Sequence, residues 1–198
     1  EFRRVLFRSD FQFTQVQRFD RAVTLVEPAA ARALREFARL PGVTAVEPFR
    51  AVSATITCGH RQRREEILGL AEAGSLFRII DRHGRVHSPR RDGLIVSAKL
   101  AELLGAKPGD TLEVDVLELR RPKARLRIAG TIDDMVGTSA YLHIDTLRRL
   151  LGEGDTVSGA FLAVDAARAA DLDRRLADTP HVAGFVARDV QLRTFRDT

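Results

Sequence analysis

Residues 92–116 read D-G-L-I-V-S-A-K-L-A-E-L-L-G-A-K-P-G-D-T-L-E-V-D-V, and this stretch predicts a strand, a short helix, a turn and a second strand. Leucines at helical spacing share one face of the helix, and Gly105 ends it because glycine takes the left-handed cap conformation without a Cβ clash. Pro108 and Gly109 supply the backbone angles of a tight turn. The stretch holds no nucleophile and no ligand set, so by itself it predicts a compact α+β domain and no activity.

A strand–helix–strand pattern precedes this stretch. A strand is predicted near residues 21–26, and Glu27-Pro28 is expected to open a helix because proline is tolerated in the first helical turn. Apolar residues at helical spacing give that helix one buried face. Pro41-Gly42 should end the helix, and a long β segment that breaks at Pro48 should follow it.

The same pattern returns near the other end of the chain. Residues 157–164 predict a strand, residues 166–177 a helix that Pro180 stops, and a further strand follows. Both halves place a leucine near the helix end, then proline, one residue and valine. Two such β-α-β halves build a ferredoxin-like split sheet, whereas a chance similarity between two ordinary units is the alternative.

The segment between the two halves differs in character. A strand is predicted at residues 67–70, a hairpin around D-R-H-G is closed by Gly84, and a strand at residues 140–144 precedes a helix with Asp145 as its N-cap. Short strands with a turn about every ten residues are typical of a small β-rich subdomain.

The predicted fold class is therefore α+β. We expect a ferredoxin-like domain formed by residues 10–60 and 155–198, with a β-rich domain of residues 61–154 inserted between its two halves.

The composition is that of an ordinary globular protein, with 44% hydrophobic and 30% charged residues among 198. The net charge of +5 and a pI near 10.2 suggest nucleic-acid binding. However, the positive charge is mostly arginine dispersed along the chain, whereas a phosphate-binding face would concentrate it on one element. No apolar run approaches the ~18 residues that a membrane helix needs.

The first nine residues, E-F-R-R-V-L-F-R-S, match one reading frame of a common sequencing adapter. We therefore expect residues 1–9 to be an artefact and exclude them from the fold prediction. The chain is then expected to be a fragment of a longer protein that is open at both ends.

Few residues suggest chemistry. Cys58 and His60 lack the further ligands that a zinc site needs, and His83 and His87 fall on either side of a predicted turn. Ser97 is interpreted as a helix N-cap rather than as a nucleophile. No phosphate-binding glycine loop is present. We expect no catalytic residues, no metal and no cofactor.

The order of the motifs resembles the extracytoplasmic domain of ABC-transporter permeases of the FtsX-like/MacB-like family. The resemblance lies in residues 92–114, in I-A-G-T-I-D-D-M-V-G-T-S-A-Y-L at residues 128–142 and in L-L-G-E-G-D-T-V-S-G-A-F-L-A-V-D at residues 150–165. It covers nearly all of residues 10–198.

The resemblance implies a periplasmic or extracellular domain of a membrane permease, with a ferredoxin-like (porter) part and an inserted β-rich (sabre) part. It also implies a homodimer that works with a separate cytoplasmic ATPase and with an adaptor (membrane-fusion) protein or a lipoprotein, and it implies no nucleic acid. The chain ends should then lie side by side.

In that case the contact surfaces should be exposed loops at residues 61–64, 120–123 and 134–141. The individual contact residues that we predict are Arg120, Arg121, Met135 and Tyr141. Methionine and tyrosine suit adaptable interfaces, although both could equally lie in the core.

Two other function classes stay open at this point. The segment L-L-G-A-K-P-G-D-T-L-E-V alone resembles an AbrB-type swapped hairpin, which would make the chain a DNA-binding module. An enzyme with an unrecognised site is the other class, although no convergent acid, base or nucleophile supports it.

Overall fold

A computed structural model describes residues 18–118, 120–134 and 137–188. The predicted artefact at residues 1–9 lies outside them. The helices are α1 (Leu34–Ala38), α2 (Ala98–Leu104), α3 (Ile144–Leu151) and α4 (Ala169–Ala177), with 3-10 turns at Ala31–Ala33 and Ala166–Arg168. The strands are β1 (Arg21–Ala30), β2 (Val43–Cys58), β3 (Arg61–Leu70), β4 (Ile79–Ile80), β5 (Val86–His87), β6 (Leu94–Ser97), β7 (Thr111–Val116), β8 (Lys123–Ile132), β9 (Ala140–His143), β10 (Thr156–Val164) and β11 (Val182–Ala187).

Four strands from the two ends of the chain form an antiparallel sheet, which we call the outer sheet, in the order β11-β1-β10-β2. Helices α1 and α4 connect β1 to β2 and β10 to β11. Their apolar residues Phe37, Leu172 and Leu176 pack with Val23 and Leu162 of the sheet into one core cluster. The two predicted β-α-β halves therefore share a single sheet.

The remaining long strands close into a barrel, β2-β3-β9-β6-β8-β7, which returns to β2 because β7 also pairs with it. Two of its pairs, β3–β9 and β6–β8, are parallel. Alternate residues of the strands point inward, and helices α2 and α3 add leucines to the same core. Fully buried members of this core are Ile56, Ile67, Leu94, Leu100, Leu112 and Leu142.

Strand β2 belongs to both parts of the molecule. Its first half, from Val43 to Phe49, pairs with β10, and its second half pairs with β3 and β7. The predicted break at Pro48 is wrong, because β2 runs through that residue without interruption. Pairing with β3 starts only at Phe49, so β2 has one paired neighbour at Pro48, and the missing N–H can be accommodated on the unpaired side.

An aromatic cluster fills the space between the outer sheet and the barrel. The Phe161 ring lies 4.8 Å from that of Phe49 and 4.9 Å from that of Phe77, measured between centroids. Phe77 belongs to the segment that follows β3, which Glu47 anchors by accepting hydrogen bonds from the backbone N–H groups of residues 75 and 76. Barrel residues complete the same cluster, so the two parts share one apolar interface.

Two predicted helix starts are wrong. Glu27-Pro28 does not open a helix, because β1 continues to Ala30; the proline falls where the β1–β10 register shifts, so its missing N–H costs no ladder bond. Asp145 is not the cap of α3. His143 is the cap, since its Nδ1 accepts from the Asp145 N–H at 3.2 Å.

The predicted helix cap and the predicted turn glycines are confirmed. Ser97 caps α2 by accepting from the Leu100 N–H at 3.2 Å. Gly105 ends α2 with φ +65°, Gly109 turns the chain with φ +99°, and Gly84 closes the β4–β5 hairpin with φ +78°. Glycine tolerates these positive φ angles without strain.

The two ends of the described chain lie side by side, as predicted. Arg21 is opposite Ala187 in the β1–β11 ladder, and the Arg188 N–H donates to the Asp20 carbonyl at 3.1 Å. Among the described residues, no helix is both long and apolar enough to cross a membrane.

Replacing Gly159 with alanine should destabilise the outer sheet. A Cβ at this position would lie 2.0 Å from the Val23 carbonyl oxygen and 2.7 Å from the Phe49 ring. We expect Gly159→Ala to lower the free energy of unfolding by about 1–3 kcal/mol in urea denaturation. Gly130→Ala is the matched control, because a Cβ there meets nothing within 4 Å, and it should change stability by less than about 0.5 kcal/mol. Equal effects of the two substitutions would contradict the close packing of β10 against its neighbours.

Candidate functional site

No catalytic or metal-binding constellation appears among the described residues. They contain no group of three or more His, Cys, Asp or Glu residues that could hold a metal ion. Cys58 is a half-buried free thiol at the end of β2, and His60 is exposed in the next turn.

The β4–β5 hairpin is organised by a buried carboxylate rather than by a pair of histidines. Asp81 accepts from the backbone N–H groups of His83 and Arg85, each at 2.9 Å, and from the Arg85 side chain. His87 Nε2 lies 3.1 Å from its second oxygen. Desolvation would raise the pKa of Asp81, but these hydrogen bonds outweigh it and hold the pKa well below its usual value. The group stabilises a tight turn.

The junction between the outer sheet and the barrel contains a fully buried arginine, Arg50 of β2, with 0% of its surface exposed. Its Nε and Nη2 donate to the two oxygens of Glu153 at 3.0 and 2.8 Å, a bidentate pair. Its Nη1 donates to the Ala51 carbonyl at 2.6 Å and to Ser158 Oγ at 2.9 Å. We call these residues the Arg50 junction; Arg50 belongs to the shared strand, and Ser158 to β10.

A second carboxylate ties the barrel to this junction. Glu118 follows β7, and its Oε2 lies 3.6 Å from Arg50 Nη1 while its Oε1 accepts from the Ser53 N–H at 3.2 Å. Glu66 of β3 is opposite Ser53 in the ladder. Burial, and secondarily the negative charge of Glu118, raise the pKa of Glu66 to about 7. Two glutamates, Glu153 and Glu118, therefore lie against one arginine, and Glu66 lies close enough to Glu118 to be affected by its charge.

The paired ends of the chain are fixed by ion pairs of their own. Arg21, which is 3% exposed, donates to both oxygens of Asp173 on α4 at 2.7 and 3.0 Å. Asp20 accepts from the Val164 N–H at 2.8 Å and from the Arg188 side chain at 3.3 Å. Asp20, Arg21 and Arg188, near the two ends of the described chain, are thereby linked to each other, to β10 and to α4.

The structure describes three of the four predicted contact residues, Arg120, Arg121 and Tyr141, and these three do not form one surface. Arg120 and Arg121 are exposed in the turn between β7 and β8, and Arg121 has φ +50°. This turn lies beside the Arg50 junction, since the Leu117 N–H donates to the Ser53 carbonyl at 2.9 Å. Met135 lies outside the described residues. The role of the two arginines in partner contact stays a prediction.

Tyr141 lies in the core, which was the alternative to a partner contact. Only 8% of its surface is exposed, and its ring centroid lies 6.3 Å from that of Phe77. Desolvation raises the pKa of its hydroxyl well above the usual value. In the same region burial raises the pKa of Asp134 to about 6, although Ser139 Oγ donates to its Oδ2 at 2.5 Å. The tyrosine packs in the aromatic cluster.

Residues 61–64 were predicted to be an exposed loop. The structure shows instead that they form the exposed first half of β3. They pair with β2, whereas pairing with β9 starts only at Ile67. Polar residues at both alternating positions masked the strand, since no apolar face is visible in R-Q-R-R-E-E.

Sequence reasoning also missed the Arg50 junction. An arginine between Phe49 and Ala51 in a β segment was the available signal, since a charge within an apolar strand requires a partner. The partner, Glu153, is 103 positions away, so only the tertiary fold could identify it.

Comparison with known proteins gives one consistent result. A family model described as the MacB-like periplasmic core domain matches residues 6–179. The periplasmic region of MacB from Actinobacillus actinomycetemcomitans aligns with a TM-score of 0.55 and 12% identity, covering 90% of this chain and 92% of that chain. The extracellular domain of the noncanonic ABC-type transporter YknZ from Gram-positive bacteria aligns with a TM-score of 0.51 and 14% identity, covering 85% and 98%. At these identities the structural likeness shows the fold alone. No curated protein sequence matches the chain.

Replacing Arg50 should be far more damaging than replacing an exposed cation. Arg50→Met leaves Glu153, whose side chain is only 12% exposed, without its partner, so we expect a loss of about 3–5 kcal/mol in the free energy of unfolding. Lys99→Met, which removes an exposed pair with Glu102, should cost at most about 0.5 kcal/mol.

The double variant Arg50→Met/Glu153→Gln tests the physical reason. It should recover part of the loss, because the stranded charge is then gone. Costs for Arg50→Met and Lys99→Met that agree within error in urea denaturation would contradict a buried, paired arginine.

Proposed function

The chain belongs to the family of MacB-like periplasmic core domains, and we propose that it transmits movement of an ABC transporter permease to a partner or substrate outside the membrane. It is a periplasmic or extracellular domain of such a permease. The family assignment does not favour a DNA-binding module. The proposal beyond the family is mechanical: the domain acts as a stiff lever and carries out no reaction of its own.

We also propose a two-part division for this lever. Residues 10–60 and 155–198 form a porter-like part with a ferredoxin-like split βαβ sheet, and residues 61–154 form a sabre-like part. The order β11-β1-β10-β2, with helices α1 and α4 as the two connections, supports the ferredoxin-like description. Separate core clusters in the outer sheet and the barrel support the division, and β2 takes part in both.

The observation that carries the proposal is the position of the chain ends relative to β2. Asp20 and Arg188 are hydrogen-bonded neighbours, so attachment to two membrane segments at this end needs no rearrangement of the sheet. Strand β2 starts at the same end, because Val43 is opposite Val164, whose N–H bonds to Asp20. The strand is 16 residues long, and its second half lies in the barrel. A movement of the attached ends would thus be passed along one strand.

The Arg50 junction would make this lever stiff. A fully desolvated arginine with four fixed acceptors resists reorientation, because any displacement of β2 against β10 or the β7–β8 turn would break charge-assisted hydrogen bonds. The aromatic cluster adds an apolar contact on the same interface. The outer sheet and the barrel are therefore expected to move together.

The partners that follow from this proposal are those of a transporter. ATP would be hydrolysed by a separate cytoplasmic ATPase subunit, the permease would work as a homodimer, and an adaptor (membrane-fusion) protein or a lipoprotein would receive the movement. These partners are proposed from the family assignment.

Spin labels in the full-length permease test the lever. In a Cys58→Ser background, a label at His60 reports on the far end of β2, and a label at Ala167 reports on the end near Asp165 and Gly42, which are linked by a hydrogen bond of 2.8 Å. When the dimer with its ATPase is trapped with a nucleotide analogue in nanodiscs, the inter-subunit distance at His60 should shift more than that at Ala167. An inter-subunit distance at His60 that stays the same in all nucleotide states would contradict the proposal.

A further inference from the structure

We infer that the end of the barrel farthest from the chain ends is a docking site for an extended acidic peptide segment of a partner protein. This distal tip consists of the β2–β3 turn at residues 59–60, the first half of β3 at residues 61–64 and the α2–β7 turn at residues 105–110. The inference rests on the proposed function, because it takes the chain ends as the membrane side. To the proposed function it adds a binding site at the distal tip, recognition by arginine–carboxylate contacts, and a partner with an acidic extended segment.

The position of the distal tip follows from the strands. With 16 residues and a rise of about 3.3 Å per residue, β2 spans at most about 50 Å between its start beside the chain ends and its last residue. The two turns lie together, because a Cβ built on Gly105 would come within 2.7 Å of Arg61 Nη1. A partner that approaches from outside the membrane would meet this surface first.

The distal tip holds cations without carboxylate partners. Arg61, Arg63 and Arg64 are exposed, and none of them lies within 4 Å of a described carboxylate. Arg63 donates only to the neighbouring Gln62 carbonyl at 2.8 Å. Arg61 lies against the C-terminal end of α2, where a cation is favoured, so it also has a structural role.

The surrounding charges do not cancel these arginines. Three exposed carboxylates are already paired with cations of their own: Glu102 with Lys99, Glu113 with Arg125 and Asp115 with Lys123. Asp110 lies in the α2–β7 turn itself, where it accepts from the Lys107 N–H at 2.8 Å and offsets one positive charge. Glu65 accepts from Thr138 Oγ1 at 2.8 Å; burial raises its pKa, while this hydrogen bond and the charge of Arg63 lower it. Lys107 and the three arginines thus leave the distal tip positive.

The arrangement of the arginines favours an extended peptide. Arg61 and Arg63 are two residues apart on one face of β3, about 7 Å along the strand, which is the spacing of alternate side chains in another extended chain. Guanidinium groups match carboxylates in bidentate geometry. Residues 57–64 and 105–110 contain no Phe, Tyr or Trp on which a base could stack, which disfavours single-stranded nucleic acid.

Fluorescence anisotropy with a labelled peptide of five Glu-Thr repeats tests the site on the 198-residue chain. The wild-type chain should bind this probe, with an affinity that falls as salt rises, and should not bind five Gln-Thr repeats. Arg63→Glu/Arg64→Glu should weaken binding at least tenfold, since it reverses one charge-assisted contact on the face shared with Arg61 and also the neighbouring positive charge on the opposite face of β3. Arg32→Glu/Arg35→Glu, which makes the same charge change on exposed residues near α1, should change the affinity less than twofold.

Thermal unfolding first establishes that both variants are folded as the wild type is. No binding of the Glu-Thr probe, or equal weakening by both variants, would overturn the inference. Tighter binding of a ten-nucleotide dT strand or of anionic lipid vesicles, with the same dependence on Arg63 and Arg64, would overturn the peptide assignment. The spin-label experiment measures movement, whereas the anisotropy experiment measures binding. An unchanged His60 distance would therefore contradict the lever alone, and absent peptide binding would contradict the distal docking site alone.

Discussion

A single buried guanidinium determines how the two parts of this molecule are joined. Arg50 has no exposed surface, so the fold must supply a counter-charge and acceptors for its donors at the junction itself. Glu153 and Ser158 supply them from the end of α3 and from β10, and Glu118 supplies a second negative charge from the β7–β8 turn. An arrangement with either segment displaced would leave a charge buried and unpaired, which restricts the molecule to one relative position of outer sheet and barrel.

Strand β2 connects this fixed junction to both ends of the molecule. The strand starts beside the paired chain ends, passes the Arg50 junction and finishes at the distal tip. In the barrel wall, Glu66 of β3 lies opposite Ser53, whose N–H donates to Glu118, and burial raises the pKa of Glu66 to about 7. The proposed transmission of movement by this domain of the MacB-like periplasmic core family would require such a fixed junction.

Much of the local structure could be predicted from sequence because glycines, prolines and alternating apolar residues act over a few positions. Gly105, Gly109 and the Ser97 cap are examples. Errors arose where long-range pairing overrode local preference: β2 continues through Pro48, and β1 continues through Pro28, because neighbouring strands leave those positions unpaired or shifted. The barrel closure and the Arg50 junction were not predictable, since they depend on residues that are up to 108 positions apart.

Native-state hydrogen exchange in increasing urea tests most directly whether the Arg50 junction makes one unit of the two parts. Amides of Val23 and Leu162 report on the outer sheet, and those of Val114 and Ile128 report on the barrel. We predict that both sets merge into a single opening reaction with the same free energy and the same urea dependence. An outer sheet that opens at lower free energy, while the barrel amides stay protected, would contradict the account.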